Sequence, residues 1–360
     1  MTAAASIATD RNMPHRPWTL GLSILLLAVA AVIVLTLLSV KSPLRGWFVA
    51  LAAWSTIPFG SMVLLLIHRL TGGEWGRAAR PVLAAAAGLC PMAAIAFVPV
   101  LAFLPDIYPW AAKASAIPAD VARFYLNEPL YQVRTVVTLV GWSLLAIVFA
   151  IGAGHRLAAG VGLAFFGLTI SLVSVDWFLS LDPHYVATAF ATMISVQQLL
   201  AALAAVAVLG SHGLDRRAAA DLGALMIAAL LGVIYLELMT FIVSWYGDLP
   251  DKASWYVRRQ ALVWEGVLGG ALLSGALVPF AMLLLERVRR SRGGVRVAGL
   301  LILFGTALHF AWLLVPAFPD QALVCVFACG ALVILSAVSL LIGSALLRLF
   351  APYREADHAQ

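Results

Sequence analysis

The stretch VSVDWFLSLDPHYVATAF, residues 173–190, holds the end of one apolar run, a polar turn and the start of a second run. The first run begins near residue 158 and the second continues to about 209. Between them stands Asp182-Pro183. A proline ring disfavours the α conformation of the residue before it, so the first helix should end at Asp182 and the second begin after His184. Each run is about 20 residues long, the length that carries an α-helix across a hydrocarbon core of about 30 Å. The stretch reads as the turn of a transmembrane helical hairpin. Trp177 and Tyr185 are expected at headgroup depth as part of an aromatic belt, with Asp182 and His184 as hydrated turn residues.

The rest of the chain has the same character. Of 360 residues, 63% are hydrophobic and 11% charged, and the mean hydropathy is +1.00. That is more apolar surface than a soluble core of this length could bury. Ten segments are long and apolar enough to cross a bilayer: 18–40, 47–68, 82–104, 130–152, 158–180, 187–209, 221–246, 262–285, 296–315 and 322–347. They are continuous rather than alternating, which argues against membrane strands. The expected fold is an all-α integral membrane protein of about ten transmembrane helices over 18–347, between short tails at 1–17 and 348–360. The first segment is too long for the apolar region of a signal peptide and no small-residue cleavage pattern follows it, so it is expected to remain as an anchor. Pro58, Pro91, Pro99 and Pro279 fall inside the second, third and eighth spans.

The formal net charge of +6 does not point to nucleic acid, because the positive residues lie in short loops between apolar runs. If the N-terminus is cytoplasmic, fifteen Lys and Arg fall on that side and seven on the other, with Arg134 inside a span. This bias places both termini in the cytoplasm and the Asp182 turn outside. Cys90, Cys325 and Cys329 all lie in apolar segments, which gives neither a disulfide framework nor a haem attachment motif.

Four formally charged residues lie inside the expected spans: Arg134, Asp176, Glu237 and Glu265. At 1.5 Å per residue, Arg134 and Asp176 are each about 6 Å below the outer ends of consecutive antiparallel helices, so they are expected to pair. Glu237 is about 14 Å deep, Glu265 about 5 Å and His309 about 9 Å. All five lie in the outer half, an asymmetry that reads as a polar cavity opening outward, with Glu237 and His309 able to relay protons. Gln197, Gln198 and Tyr235 would add hydrogen-bonding groups if they face the same interior. The bland alternatives are a structural ion pair for Arg134 and Asp176, and a kink-satisfying side chain for His309. His68 and His309 stand at different depths, which does not suit a bis-histidine haem.

The outer loops are rich in aromatic residues. PDIYPWAAKASAIPADVARFYLNEP, residues 105–129, and WYGDLPDKASWYVRR, residues 245–259, read as interfacial or partner-docking surfaces. Five stretches, SVDWFLSLDPHYVATAF, TGGEWGRAARP, YLNEPLYQVRTVV, FIVSWYGDLPDKASWYVRR and RVAGLLILFGTALHFAWLLVPAF, carry a resemblance. The set is similar, over roughly residues 45–318, to the ActF membrane subunits of bacterial alternative complex III, within the wider family of NrfD-like quinone-interacting membrane proteins. The chain departs from that pattern at Asp248, where Asn is usual before Leu249 and Pro250.

The resemblance implies two four-helix bundles, helices two to five and six to nine, flanked by the first and last. It implies a non-redox subunit of a respiratory quinol:cytochrome c or quinol:acceptor oxidoreductase in the bacterial inner membrane. The expected partners are an ActC-like membrane subunit, haem c and iron–sulfur subunits, and membrane lipid. No cofactor is expected on this chain beyond a quinone or quinol contact. Arg134, Asp176, Glu237, Glu265 and His309 are the residues expected to serve a proton path or that contact. A secondary transporter with an outward polar cavity is the alternative, although no convincing internal repeat supports it.

Overall fold

A computed structural model describes residues 41–113, 117–183, 185–210, 213, 215–247 and 250–350. The expected first span, both expected tails apart from residues 348–350, and His184 and Asp248 lie outside the described residues. Among those described, about 87% are helical and none is in a strand. The protein is an all-α membrane protein, and nine of the described helices are long and apolar enough to cross a bilayer.

We number these spans α1 (Lys41–Thr71), α2 (Glu74–Ala102), α3 (Glu128–Ala150), α4 (Arg156–Leu181), α5 (Phe190–Leu209), α6 (Arg216–Tyr246), α7 (Leu262–Leu284), α8 (Arg292–Ala317) and α9 (Gln321–Leu347). They correspond to the expected second to tenth spans. α1 to α4 pack as one bundle and α5 to α8 as another, joined mainly where α1 meets α5, while α9 lies against α1 and α2. α1 is the central element. Of its most apolar stretch 89% is buried, against 11% for α9, whose remaining surface is left for lipid or a neighbour.

Helices in lipid gain little from hydrophobic burial against one another, so they associate through close backbone approach at small residues. At the crossing of α7 and α8, a Cβ on Gly305 would stand 2.1 Å from Gly275 Cα. Where α1 crosses α5, a Cβ on Gly60 would stand 1.9 Å from the Gln198 carbonyl oxygen. Only glycine permits either contact.

α2 starts eight residues earlier than its sequence suggests and is built of pieces, Glu74–Ala87, Cys90–Ala96 and Val98–Ala102. Pro91 and Pro99 each take the second position of a new piece, where the missing N–H has no intrahelical partner to lose. Pro58 sits within an unbroken α1. Pro279 follows a π-helical turn, Leu273–Leu277, that widens α7 beside Gly305.

The turn after α4 ends as expected, with Asp182 leaving the helix at φ −136° and ψ 80°. The aromatic expectation here is wrong. Trp177 and Tyr185 are both 3% exposed and face protein rather than headgroups. Trp177 stacks beside Phe97 at 4.3 Å, and Tyr185 lies on Trp255 at 4.4 Å, because each ring finds an aromatic partner inside.

Four connections gather at one end. Lys41 lies 3.2 Å from Asp106, Arg45 donates to the Asp106 carbonyl and pairs with Asp320 at 2.6 Å, and Arg258 pairs with Asp182. This is the aromatic end. At the other, arginine-rich end, Arg156 donates to the Leu70 carbonyl at 2.9 Å and the Arg289 chain lies against Gly223.

Candidate functional site

Near its aromatic end α4 changes pitch. Its α-helix stops at Val173, Ser174–Phe178 form a π-helical turn and Leu179–Leu181 a 3-10 turn. The extra residue of a π turn re-aims the side chains it carries. Asp176 sits in that turn, 2% exposed, and receives Arg134 of α3 in a fork: Nε to Oδ2 at 2.7 Å and Nη2 to Oδ1 at 2.9 Å. The third arm of Arg134, Nη1, donates to the Tyr125 carbonyl at 3.0 Å, and the Tyr125 ring lies 4.0 Å from the guanidinium. The aromatic loop thereby caps the pair. Its burial pushes the Tyr125 phenol up to about 12, with the negative Asp176 adding to the effect, so Tyr125 stays neutral.

Behind this pair lies a buried aromatic layer. Tyr131 donates to the Tyr108 hydroxyl at 2.8 Å, Tyr108 donates to the Trp177 carbonyl, and Trp177 reaches Thr135. Ring contacts continue from Trp177 to Phe178 and from Phe178 to Phe310, which is the neighbour of His309.

The second cluster belongs to the other bundle. His309 of α8 is 5% exposed; its Nε2 lies 2.8 Å from Glu237 Oε1 on α6, and its Nδ1 is 2.9 Å from Gln197 Nε2 on α5. The Glu237 approach is a close polar contact rather than an aligned hydrogen bond, because neither atom meets hydrogen-bond geometry. The amide orientation of Gln197 and the tautomer of His309 are linked: a neutral Nδ1 accepts from the amide N–H, while an imidazolium would need the amide oxygen turned toward it.

The structure thus forms two pairs from the five expected residues, Arg134 with Asp176 and Glu237 with His309, separated by the aromatic contacts of Phe178 and Phe310. Glu265 joins neither and is exposed on α7. Gln197 joins the second pair. Tyr235 does not, being 61% exposed, and Gln198 is buried on the side of α5 that faces Gly60. Asp182, expected as a hydrated turn residue, is instead tied to Arg258.

One residue was not singled out by sequence. Arg259 is 4% exposed and donates to three carbonyls: Trp255 at 2.9 Å, Leu313 at 3.1 Å and Trp312 at 3.4 Å. Its guanidinium lies 3.5 Å from the Trp255 ring. A cation on the last carbonyls of α8 opposes the negative end of that helix. Burial pushes Arg259 down to about 9, so it is still a cation at neutral pH. A cavity of about 10 Å³, room for one water, lies beside it among Asp182, Tyr185 and Phe178. The sequence signal was present in the doubled Arg258-Arg259, which reads as a solvated loop until one of the two turns inward.

Among the described residues no group of three or more His, Cys, Asp and Glu is placed to hold a metal ion. No known protein-family profile matches the chain, and no curated protein matches it significantly.

Proposed function

We propose that this protein is a membrane subunit of a respiratory quinol-oxidising complex, supporting its assembly and carrying a protonatable pair within the bilayer. The observation that carries the reading is the contact of Glu237 with His309, a carboxylate and an imidazole 2.8 Å apart on two helices of one bundle. Ionisable groups at this depth are costly, and their usual service is on proton or substrate routes. Two stretches that resemble the ActF pattern also converge. The turn at 182–185 meets the 250–259 segment through Asp182 with Arg258 and Tyr185 with Trp255, which supports a shared docking surface at the aromatic end. By the distribution of Lys and Arg, that end is extracytoplasmic and both chain termini are cytoplasmic.

Glu237→Gln tests the role of the pair. Gln keeps the shape and removes the titratable proton, so the complex should assemble normally while quinol turnover or its coupled proton release falls. Purification from native membranes in mild detergent tests the assignment: partners with covalently bound haem should accompany the chain. Recovery as a solitary protein in several detergents would favour the transporter reading instead.

A further inference from the structure

Arg259 is a buried cation that meets carbonyl groups and an indole ring but, among the described residues, no acid. Its Nη1, Nη2 and Nε donate to the carbonyls of Trp255, Leu313 and Trp312. A guanidinium carries five N–H donors, so Nη1 and Nη2 each keep one without a partner among the described residues. No carboxylate among those residues lies within ion-pair distance of it either. Asp182, which shares a cavity wall with Arg259, is taken by Arg258. The carbonyl dipoles offset part of the charge, yet a cation only 4% exposed is ordinarily paired.

The cavity beside it suits the missing anion in size and in charge. Its space of about 10 Å³ lies among Phe178, Leu181, Asp182, Tyr185 and Leu313. A halide is only slightly larger than the water molecule that such a space admits, whereas sulfate and phosphate exceed it. With Arg258 included, the charges gathered here are two positive and one negative, a net charge that one monovalent anion cancels. Most of the remaining wall is apolar, which penalises a divalent or strongly hydrated ion. Entry is from the aromatic end, beside the bridge of Asp182 with Arg258, whose side chains are 20% and 50% exposed.

We infer that the cavity beside Arg259 binds a single monovalent halide, held by the N–H groups that the carbonyls leave over. Such charge-assisted contacts are stronger than neutral ones. The ion would tie three parts of the chain together at one point: the 250–259 segment, the end of α8 and the turn after α4. The inference rests on this cavity alone and stands whether or not the chain serves an oxidoreductase.

The test follows the thermal midpoint of the full-length protein in detergent as sodium bromide replaces sodium gluconate at constant ionic strength. The midpoint should rise and then saturate, as stabilisation by a bound ligand does. Ala317→Leu narrows the cavity and leaves Arg259 in place. It should raise the half-saturating bromide concentration about tenfold, the worth of one hydrogen bond to a charged group. In crystals soaked in bromide, anomalous scattering should place one ion against the Arg259 guanidinium. If Ala317→Leu does not accumulate, the anomalous map of the unmodified protein decides. A midpoint indifferent to the exchange, an equal response in Ala317→Leu, or water alone beside Arg259 would overturn the inference.

Discussion

Arg134 and Asp176 bind each other through both carboxylate oxygens, from neighbouring helices and with the acid only 2% exposed. In that setting each charge depends on the other. Removing one partner leaves an uncompensated ion, at a typical penalty of about 3–5 kcal/mol, whereas replacing both by apolar groups can be neutral. Asp176→Asn should therefore lower the yield and thermal midpoint of the purified protein sharply, and Arg134→Leu combined with Asp176→Leu should recover most of the loss. Equal damage in the single and double variants would show that the loss comes from the missing fork itself rather than from a stranded charge.

Orientation can be read by cysteine labelling in a Cys329→Ser background, since Cys329 is exposed while Cys90 is buried. A cysteine replacing exposed Lys113 at the aromatic end should react with a membrane-impermeant thiol reagent in intact cells. One replacing Arg77 at the other end should react only after the membrane is opened. The reverse pattern would invert the topology.

The crossing of α7 and α8 has no space for a methyl group. Gly305→Ala would force the helices apart, at a cost of about 1–3 kcal/mol for overpacking. Gly160 of α4 has nothing within 4 Å of a built Cβ, so Gly160→Ala should leave stability unchanged or raise it. Thermal unfolding in detergent separates the two; equal midpoints would contradict the close crossing.

Asp320 gives a pH signature. Partial burial works against its charge, but hydrogen bonds from Ser42, its own backbone N–H and Arg45, with the Arg45 charge, hold its carboxyl below the usual range. A depressed folded-state value contributes stability that is present above the ordinary carboxylate pKa of about 4 and is lost as pH falls through the folded value. Asp320→Asn should lower the midpoint at neutral pH and flatten its decline in acid. A variant that loses stability in acid as steeply as the parent would rule this linkage out.

Much of this was legible in the residues. Span positions follow from the length of apolar runs, and the pairing of Arg134 with Asp176 follows from equal depth on antiparallel neighbours. What escaped was direction around the helix axis. Trp177 and Tyr235 are both aromatic residues in apolar runs, yet one is buried and the other exposed, because that choice depends on which neighbour packs where. The π turn at Ser174–Phe178 has no sequence mark and rotates everything beyond it. Arg259 turned inward because the end of α8, distant in sequence, offered carbonyls to a cation.

The central position of α1 has a consequence for biogenesis. It is the earliest synthesised of the described spans, yet Arg45 waits for Asp320, Trp54 for Ser339, and Gly46 for the backbone of Phe327, all contributed by the last span or the turn before it. During translation its polar and small-residue face must stand in the bilayer, or with an insertion factor, until α9 has emerged. Packing of α1 is therefore gated by α9, and truncations within α9 should leave chains that insert but do not mature, a population exposed to membrane proteolysis.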